Sequence, residues 1–374
     1  MSESLTARYR IGNFIDTFAL GHYARVMDAG NHLTGETVAF KVMRNEHLAP
    51  DGRPRWEYRA FGNEAQILQK LAESPQAVDL LDCGFIDSDG DQPHRGEIVA
   101  HGLNVEAFVD ALEERSHKRW RPWLALRNLP RTRNLLYLMK PNQSGSRRRL
   151  PSEEGIALAL QFASMLRLAH QQDIVYLDHK LEHVYWDGTR LQVIDFNSSR
   201  QLESVIDAPQ QIRTDIHNLC VGILYPVFTG LSPRQGSLRP QPGTLNDVEG
   251  RYSDIRELDF GVEPTLSPGI RSLLQRGAAH ELATVDQFLE AVQEAGAALG
   301  RDFPEAYASV ASRDARDRLC QGLSELRSGQ EQLRAAREHF REAAILEGIS
   351  EEMELELRRL VKSVSDMLNR RVIP

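Results

Sequence analysis

Cysteine is scarce in this 374-residue sequence, and the three that occur, Cys83, Cys220 and Cys320, lie far apart. Disulfide frameworks and structural zinc sites need paired or regularly spaced cysteines, so this spacing argues against both and predicts reduced thiols in the core. The sequence also lacks an apolar run long enough to cross a bilayer, and no charged and then apolar leader follows Met1. These absences predict a cytoplasmic protein with no membrane association.

A basic excess is missing as well, since the formal net charge is −8 at pH 7. This balance argues against general affinity for nucleic acid, so a site that handles phosphate must be built from local positive charge. Hydrophobic residues make up 41% of the chain and charged residues 26%, the ordinary composition of a folded soluble protein. The length suffices for one large domain or two ordinary ones.

Strand patterns dominate residues 1–140. Residues 9–42 alternate around turn signals and predict an antiparallel hairpin region, and residues 55–71 carry helical spacing. Residues 77–85 and 134–139 are further strand candidates. The first 140 residues are therefore predicted to form a sheet with one helix.

The connection between the last two strand candidates, about residues 86–133, is unusually long and predicts an insertion with a helix at 105–120. Basic residues alternate with tryptophans from Lys118 to Trp123. Such a stretch can stack on single-stranded nucleic acid, but we favour an insertion that packs its tryptophans on the sheet and leaves its arginines in water.

Helical patterns replace strands over residues 141–300. The apolar periodicity predicts helices at 153–171, 214–228, 268–277 and 285–295. Between the first two, residues 184–186 and 191–194 predict a small hairpin around Asp187-Gly188. The chain thus reads as a sheet-rich region followed by a helical region.

Four residues could carry phosphoryl transfer from ATP, and they occur in a workable order. Such chemistry needs a lysine on the phosphates, an acid that holds the lysine, a metal-binding carboxylate and a carboxylate that accepts the hydroxyl proton. Lys41 ends the strand pattern Val-Ala-Phe-Lys, and Glu64 lies on the following helix. Asp178 precedes the small hairpin and Asp195 follows it.

The segments around these residues resemble those of eukaryotic-type Ser/Thr protein kinases. Residues 38–41 are similar to the lysine strand, 176–183 to the catalytic loop and 193–197 to the metal-binding Asp-Phe-Gly segment. Residues 208–210 resemble the end of the activation segment, and 214–222 the helix whose buried aspartate, here Asp215, supports the catalytic loop. Over residues 9–295 the resemblance implies an α+β, bilobal protein-kinase-like fold.

The resemblance also implies roles for individual residues. Asp178 would be the catalytic base, Lys180 would neutralise the transferring phosphate, and Lys41 with Glu64 would position ATP. Mg²⁺ or Mn²⁺ would bind Asp195 and His183. The nucleotide itself would contact Gly21, Val26, Ala39, Lys41 and Met139.

Several positions depart from the kinase pattern. Only Gly21 remains of the three glycines in the phosphate-covering loop, and His183 replaces an asparagine, which favours Mn²⁺. Tyr176 and Leu177 replace the usual His-Arg pair, so switching by activation-loop phosphorylation is not expected. The segment 198–206 is short and leaves little platform for a peptide.

Residues 301–374 are predicted to form a helical extension that weakly resembles a tetratricopeptide repeat. One repeat cannot bury its own apolar face, so it packs on the preceding helices or binds a protein partner. Apolar residues recur at a heptad-like spacing, at positions 319, 326, 333 and 340, which also allows a coiled-coil dimer.

Three functions remain open from the sequence. The first is an ATP-dependent phosphotransferase that resembles a Ser/Thr protein kinase and acts on a protein substrate. The second is a pseudokinase that binds nucleotide and a protein partner, suggested by His183 and the eroded glycine loop. The third is a small-molecule kinase, suggested by the short segment 198–206.

Overall fold

The computed structural model describes residues 2–15, 23–139, 149–203, 206, 208–233, 248–298, 313–345 and 351–369. In these ranges the chain is a mixed α/β protein with a curled antiparallel sheet and a C-terminal helical region. Among these residues, none of the helices combines the length and apolarity needed to cross a membrane.

A seven-stranded antiparallel sheet occupies the first part of the chain, in the order β1-β6-β5-β7-β4-β3-β2. Its strands are β1 (Glu3–Ser4), β2 (Tyr9–Phe14), β3 (Ala24–Asn31), β4 (Thr37–Met43), β5 (Leu80–Asp87), β6 (Glu97–Gly102) and β7 (Arg121–Arg127). The helices of this part are α1 (Leu5–Arg8), α2 (Trp56–Lys70), α3 (Val105–Asp110), α4 (Leu112–His117) and α5 (Leu135–Leu138). The predicted hairpin region and the helix at 55–71 are confirmed.

The strand predicted at 134–139 is wrong. The side chain of Asn134 accepts a hydrogen bond from the backbone N–H of Leu136 and so caps α5, which runs over Leu135–Leu138. The strand that pairs with both β4 and β5 is β7, which the sequence placed inside the 86–133 interval. Because this interval supplies β6 and β7, it is part of the sheet rather than an insertion into it.

The side chains of β7 agree with their prediction for Trp123 and differ from it for Arg121. Trp123 is fully buried on one face of the sheet, stacked on Phe40 with ring centroids 5.0 Å apart, so its ring cannot stack on nucleic acid. Arg121 is fully buried too, and its guanidinium donates to the carbonyl oxygens of Met43 and Ser88. The expectation that the arginines of this stretch face water is therefore wrong for Arg121.

Helices dominate the second part of the chain. They are α6 (Ser152–Gln171), α7 (Ala208–Asn218), which continues as a wider π-helical turn over Leu219–Leu224, α8 (Tyr225–Thr229), α9 (Pro268–Ala278) and α10 (Val285–Ala297). Two small strand pairs lie among them, β8 (Ile174–Val175) with β11 (Arg200–Gln201), and β9 (Val184–Trp186) with β10 (Leu191–Val193). The four predicted helices and the Asp187-Gly188 hairpin are confirmed.

In its described residues, the C-terminal extension forms α11 (Arg313–Ala344) and α12 (Glu351–Asn369), which pack against each other. Leu326, Leu333 and Phe340 are half-buried on α11, and Val364 on α12 is buried. The guanidinium of Arg334 donates to the carbonyl oxygen of Gly261, 3.4 Å away, which joins α11 to the preceding helical region.

Candidate active site

Lys41 lies at the centre of a buried charge cluster. It points from β4, whose neighbours are β3 and β7, and its Nζ is 2.7 Å from Glu64 Oε2 on α2 and 2.7 Å from Asp195 Oδ1. Burial alone would lower the pKa of Lys41, but Asp195 and Glu64 raise it well above its usual range. Glu64 is fully buried, and this burial raises its pKa above the usual range, while the charge of the Lys41 ammonium group opposes the shift.

Asp195 is held in a strained conformation just after β10. Its φ of 64° lies in the left-handed region, which aspartate tolerates at some cost. The Asn197 amide donates to Oδ1 over 2.5 Å, on the oxygen that also faces Lys41. Burial would raise the pKa of Asp195, but Lys41, His183 and Lys180 bring it below its usual range. The carboxylate is therefore charged at neutral pH and positioned to bind a cation.

Asp178 is buried between two cations. Lys180 Nζ is 3.0 Å from Oδ2, and Arg251 Nη2 is 2.9 Å from Oδ1. Burial would raise the pKa of Asp178, but Lys180, His183 and Arg251 lower it below its usual range. Sequence reasoning missed Arg251, because it lies 73 residues beyond Asp178 in no recognisable motif.

Asp215 fixes the backbone just before Asp178. Fully buried at the end of α7, it accepts the backbone N–H of Leu177 over 2.7 Å and that of Tyr176 over 2.9 Å. His170 Nε2 lies 2.9 Å from its second oxygen. These bonds hold Leu177 at a φ of 66°, and the prediction that Asp215 supports this segment agrees with them.

His183 lies between the two aspartates in an arrangement that calls for a cation. Its Nδ1 is 3.1 Å from the carbonyl oxygen of Asp178, and its Nε2 is 3.2 Å from Asp195 Oδ2. A neutral imidazole has one N–H, so one of its nitrogens would direct a lone pair at an oxygen lone pair. The Tyr176 hydroxyl does not resolve this, since it donates to the carbonyl oxygen of Ile194. Either a second proton or a metal ion removes the repulsion.

Together these three residues make a set of ligands suited to a metal. Asp178, His183 and Asp195 each offer one ligand atom, and these atoms lie within 4.8 Å of one another. Two carboxylate oxygens and one imidazole nitrogen suit Mn²⁺ better than Mg²⁺, which prefers oxygen alone.

No protein-family model and no curated protein matches this chain.

The predicted nucleotide contacts are only partly brought together. Val26 on β3 is the register partner of Lys41, and Ala39 lies two residues before it, so all three side chains share one face of the sheet. Met139 is buried at the end of α5 rather than on a strand. Gly21 lies outside the described residues.

Tyr23 is a site residue that the sequence analysis missed. The residue is only 7% exposed, with Lys41 Nζ 5.8 Å from the ring centroid and Phe61 of α2 packed edge-on. Burial is the main reason that its pKa is well above the usual range, so the phenol stays neutral. Its place within the glycine-poor loop pattern, two residues after Gly21, could have drawn attention to it.

Proposed function

We propose that this protein is an ATP-dependent phosphotransferase that resembles a Ser/Thr protein kinase and has a bilobal, kinase-like arrangement. The observation that carries the proposal is the contact of Lys41 Nζ with both Glu64 and Asp195 at 2.7 Å. It supports the proposal because an ammonium group held between those carboxylates can position phosphates beside a metal carboxylate.

Each residue of the cluster has a role in this reaction. The acceptor hydroxyl oxygen forms a bond to the γ-phosphorus of ATP while the bond from that phosphorus to ADP breaks, and Asp178 accepts the hydroxyl proton. Lys180, 3.0 Å from Asp178, offsets the charge of the transferring group. Asp195 and His183 would hold Mg²⁺ or Mn²⁺, which would neutralise phosphate charge when bound. Val26 and Ala39 would line the nucleotide pocket.

Labelled ATP tests the proposal directly. We expect transfer to the protein itself, to generic Ser/Thr substrates or to proteins of its host, and a decrease of about a hundredfold to ten-thousandfold in Asp178→Asn, because the proton acceptor is lost. Asp173→Asn is the matched control, since Asp173 is exposed and lies outside the cluster. Absence of transfer to every acceptor would contradict the proposal.

A pseudokinase is the second candidate, and two contacts of Asp178 favour it. Both oxygens of Asp178 face cations, Lys180 and Arg251, which lowers the basicity that a catalytic base needs. In that case the chain would bind metal and nucleotide and act through a protein partner. Nucleotide binding without any transfer would support this candidate, whereas turnover that vanishes in Asp178→Asn would exclude it.

Replacing His183 tests whether its imidazole is a metal ligand. In His183→Asn the preference of nucleotide binding for Mn²⁺ over Mg²⁺ should fall by about tenfold, because a nitrogen ligand becomes an oxygen ligand. Titration calorimetry with each metal measures the ratio, and His32→Asn, at an exposed histidine between β3 and β4, is the control. An unchanged ratio would show that His183 serves only its hydrogen bonds.

A further inference from the structure

The side-chain amide of Asn63 joins α2 to the backbone that follows Asp195. Asn63 directly precedes Glu64 on α2. Its Nδ2 donates to the carbonyl oxygen of Ser199 over 2.8 Å and to that of Asn197 over 3.2 Å. An amide nitrogen carries two N–H groups, so both donors of this side chain are used on the segment after Asp195. Helix α2 therefore holds that segment directly, in addition to the ion pair that Glu64 forms.

These contacts close a ring around the charge cluster. The Asn197 amide donates to Asp195 Oδ1, the same oxygen that lies 2.7 Å from Lys41 Nζ. Lys41 in turn contacts Glu64, the neighbour of Asn63 on α2. Because the ring begins and ends on one helix, Asp195 can move away from Lys41 only if one of these hydrogen bonds lengthens or breaks.

The strained backbone at Asp195 needs such support. A left-handed conformation at a residue other than glycine persists only where the surrounding contacts hold it, and the φ of Asp195 is 64°. The segment is also held from the other side, since Ser199 Oγ donates to the carbonyl oxygen of Tyr176 over 3.2 Å and β11 pairs with β8. The bond from Asn63 reaches Asn197, whose own amide contacts Asp195.

The two oxygens of Asp195 have different surroundings. Oδ1 is occupied by Lys41 and by the Asn197 amide, which leaves Oδ2 beside His183 Nε2 at 3.2 Å. The contacts at Oδ1 therefore set the direction in which Oδ2 faces the candidate metal ligands. Asn63 acts on this orientation through the backbone of Asn197.

We propose that Asn63 is a positioning residue for the metal site: its amide fixes the Asp195 carboxylate in the orientation that binds the ion, before an ion or a nucleotide arrives. This inference rests on the proposed function, in which Asp195 holds Mg²⁺ or Mn²⁺. Groups that orient a metal ligand without touching the metal typically change its affinity by about tenfold to a hundredfold.

Titration with Mn²⁺ alone tests the inference without nucleotide and without activity. Calorimetry gives the Kd of the intact protein and of each variant for the ion. We expect Asn63→Leu and Asn63→Ala to bind Mn²⁺ about tenfold to a hundredfold more weakly, because neither side chain can donate a hydrogen bond. Asn63→Gln keeps both donors on a longer side chain and should recover part of the affinity.

A matched control separates positioning from simple stabilisation. Gln66→Leu, at an exposed amide one turn further along α2, should leave the Kd for Mn²⁺ unchanged. Thermal unfolding is measured on every variant, since a residue that only stabilises the fold lowers Tm without changing the Kd of the folded protein. An unchanged Kd in Asn63→Leu and Asn63→Ala overturns the role of Asn63 and leaves the phosphotransferase proposal standing.

Two further outcomes need only the intact protein, so poor folding of a variant does not protect the inference. In the metal-free protein, the backbone amides of residues 197–201 should exchange with deuterium far more slowly than those of an unfolded chain. Exchange at the rate of an unfolded chain overturns the inference, and so does the absence of Mn²⁺ binding. The proposed function is judged separately, by transfer from labelled ATP.

Discussion

Asp195→Asn is expected to abolish metal-dependent nucleotide binding, with affinity lower by at least about a hundredfold. The substitution removes the charge that would hold the metal, while asparagine keeps the size of the side chain and tolerates the φ of 64° at this position. It also removes one of the two carboxylates at Lys41, so the ammonium group would be drawn toward Glu64 alone. Calorimetry with nucleotide, with and without Mn²⁺, measures the loss.

Asp173→Asn is a close control for that experiment. Asp173 also has a left-handed backbone, with a φ of 56°, but it is exposed and lies outside the charge cluster. The two variants therefore share the chemical change and the backbone conformation and differ only in the site. If Asp195→Asn binds nucleotide with unchanged metal dependence, Asp195 is not a metal ligand.

Asp215→Ala is expected to lower the free energy of unfolding by about 3 to 5 kcal/mol, the range for breaking a buried charged interaction. The change leaves the backbone N–H groups of Tyr176 and Leu177 buried without an acceptor and removes the partner of His170. Urea unfolding followed by circular dichroism measures the loss. A loss below about 1 kcal/mol would show that water or another group replaces the carboxylate.

The same residue predicts a dependence on pH. Burial would raise the pKa of Asp215, but the hydrogen bond and charge of His170, with His179, bring it below its usual value. A carboxylate whose pKa is lower in the folded state stabilises the fold above its unfolded pKa of about 3.9, and the contribution is lost as the pH falls further. As the pH falls, the free energy of unfolding should therefore decrease more steeply for the intact protein than for Asp215→Ala.

Local patterns were enough to place three of the site residues on or beside a strand or a helix. Lys41, Glu64 and Asp195 could be identified because strand alternation, helical spacing and the Asp187-Gly188 turn each act over a few residues. The order of these residues along the chain then resembled that of protein kinases. In the structure, Lys41 Nζ contacts both Glu64 and Asp195.

The sequence analysis did not predict strand β7, because burial on both faces removes the alternation of polar and apolar residues. Strand β7 is packed on both faces, with Trp123 and Ala125 in one core and Leu124 and Leu126 in the other, so it lacks the alternation of a half-exposed strand. Arg251 could not be predicted either, but for another reason. Its contact with Asp178 depends on how the distant segment that carries Arg251 folds back, which no local pattern records.

The contact between Lys41 and Asp195 has a consequence for how the molecule folds and opens. It joins residues 154 positions apart, one on the seven-stranded sheet and one beside the small hairpin of the helical part. Because closing a loop of this length costs entropy that one contact does not recover, we expect this bond to form late, after each part has largely folded. Conversely, local unfolding of either part separates Lys41 from Asp195. A ligand that contacts both residues should therefore slow proteolysis and hydrogen exchange in the sheet part and in the helical part together.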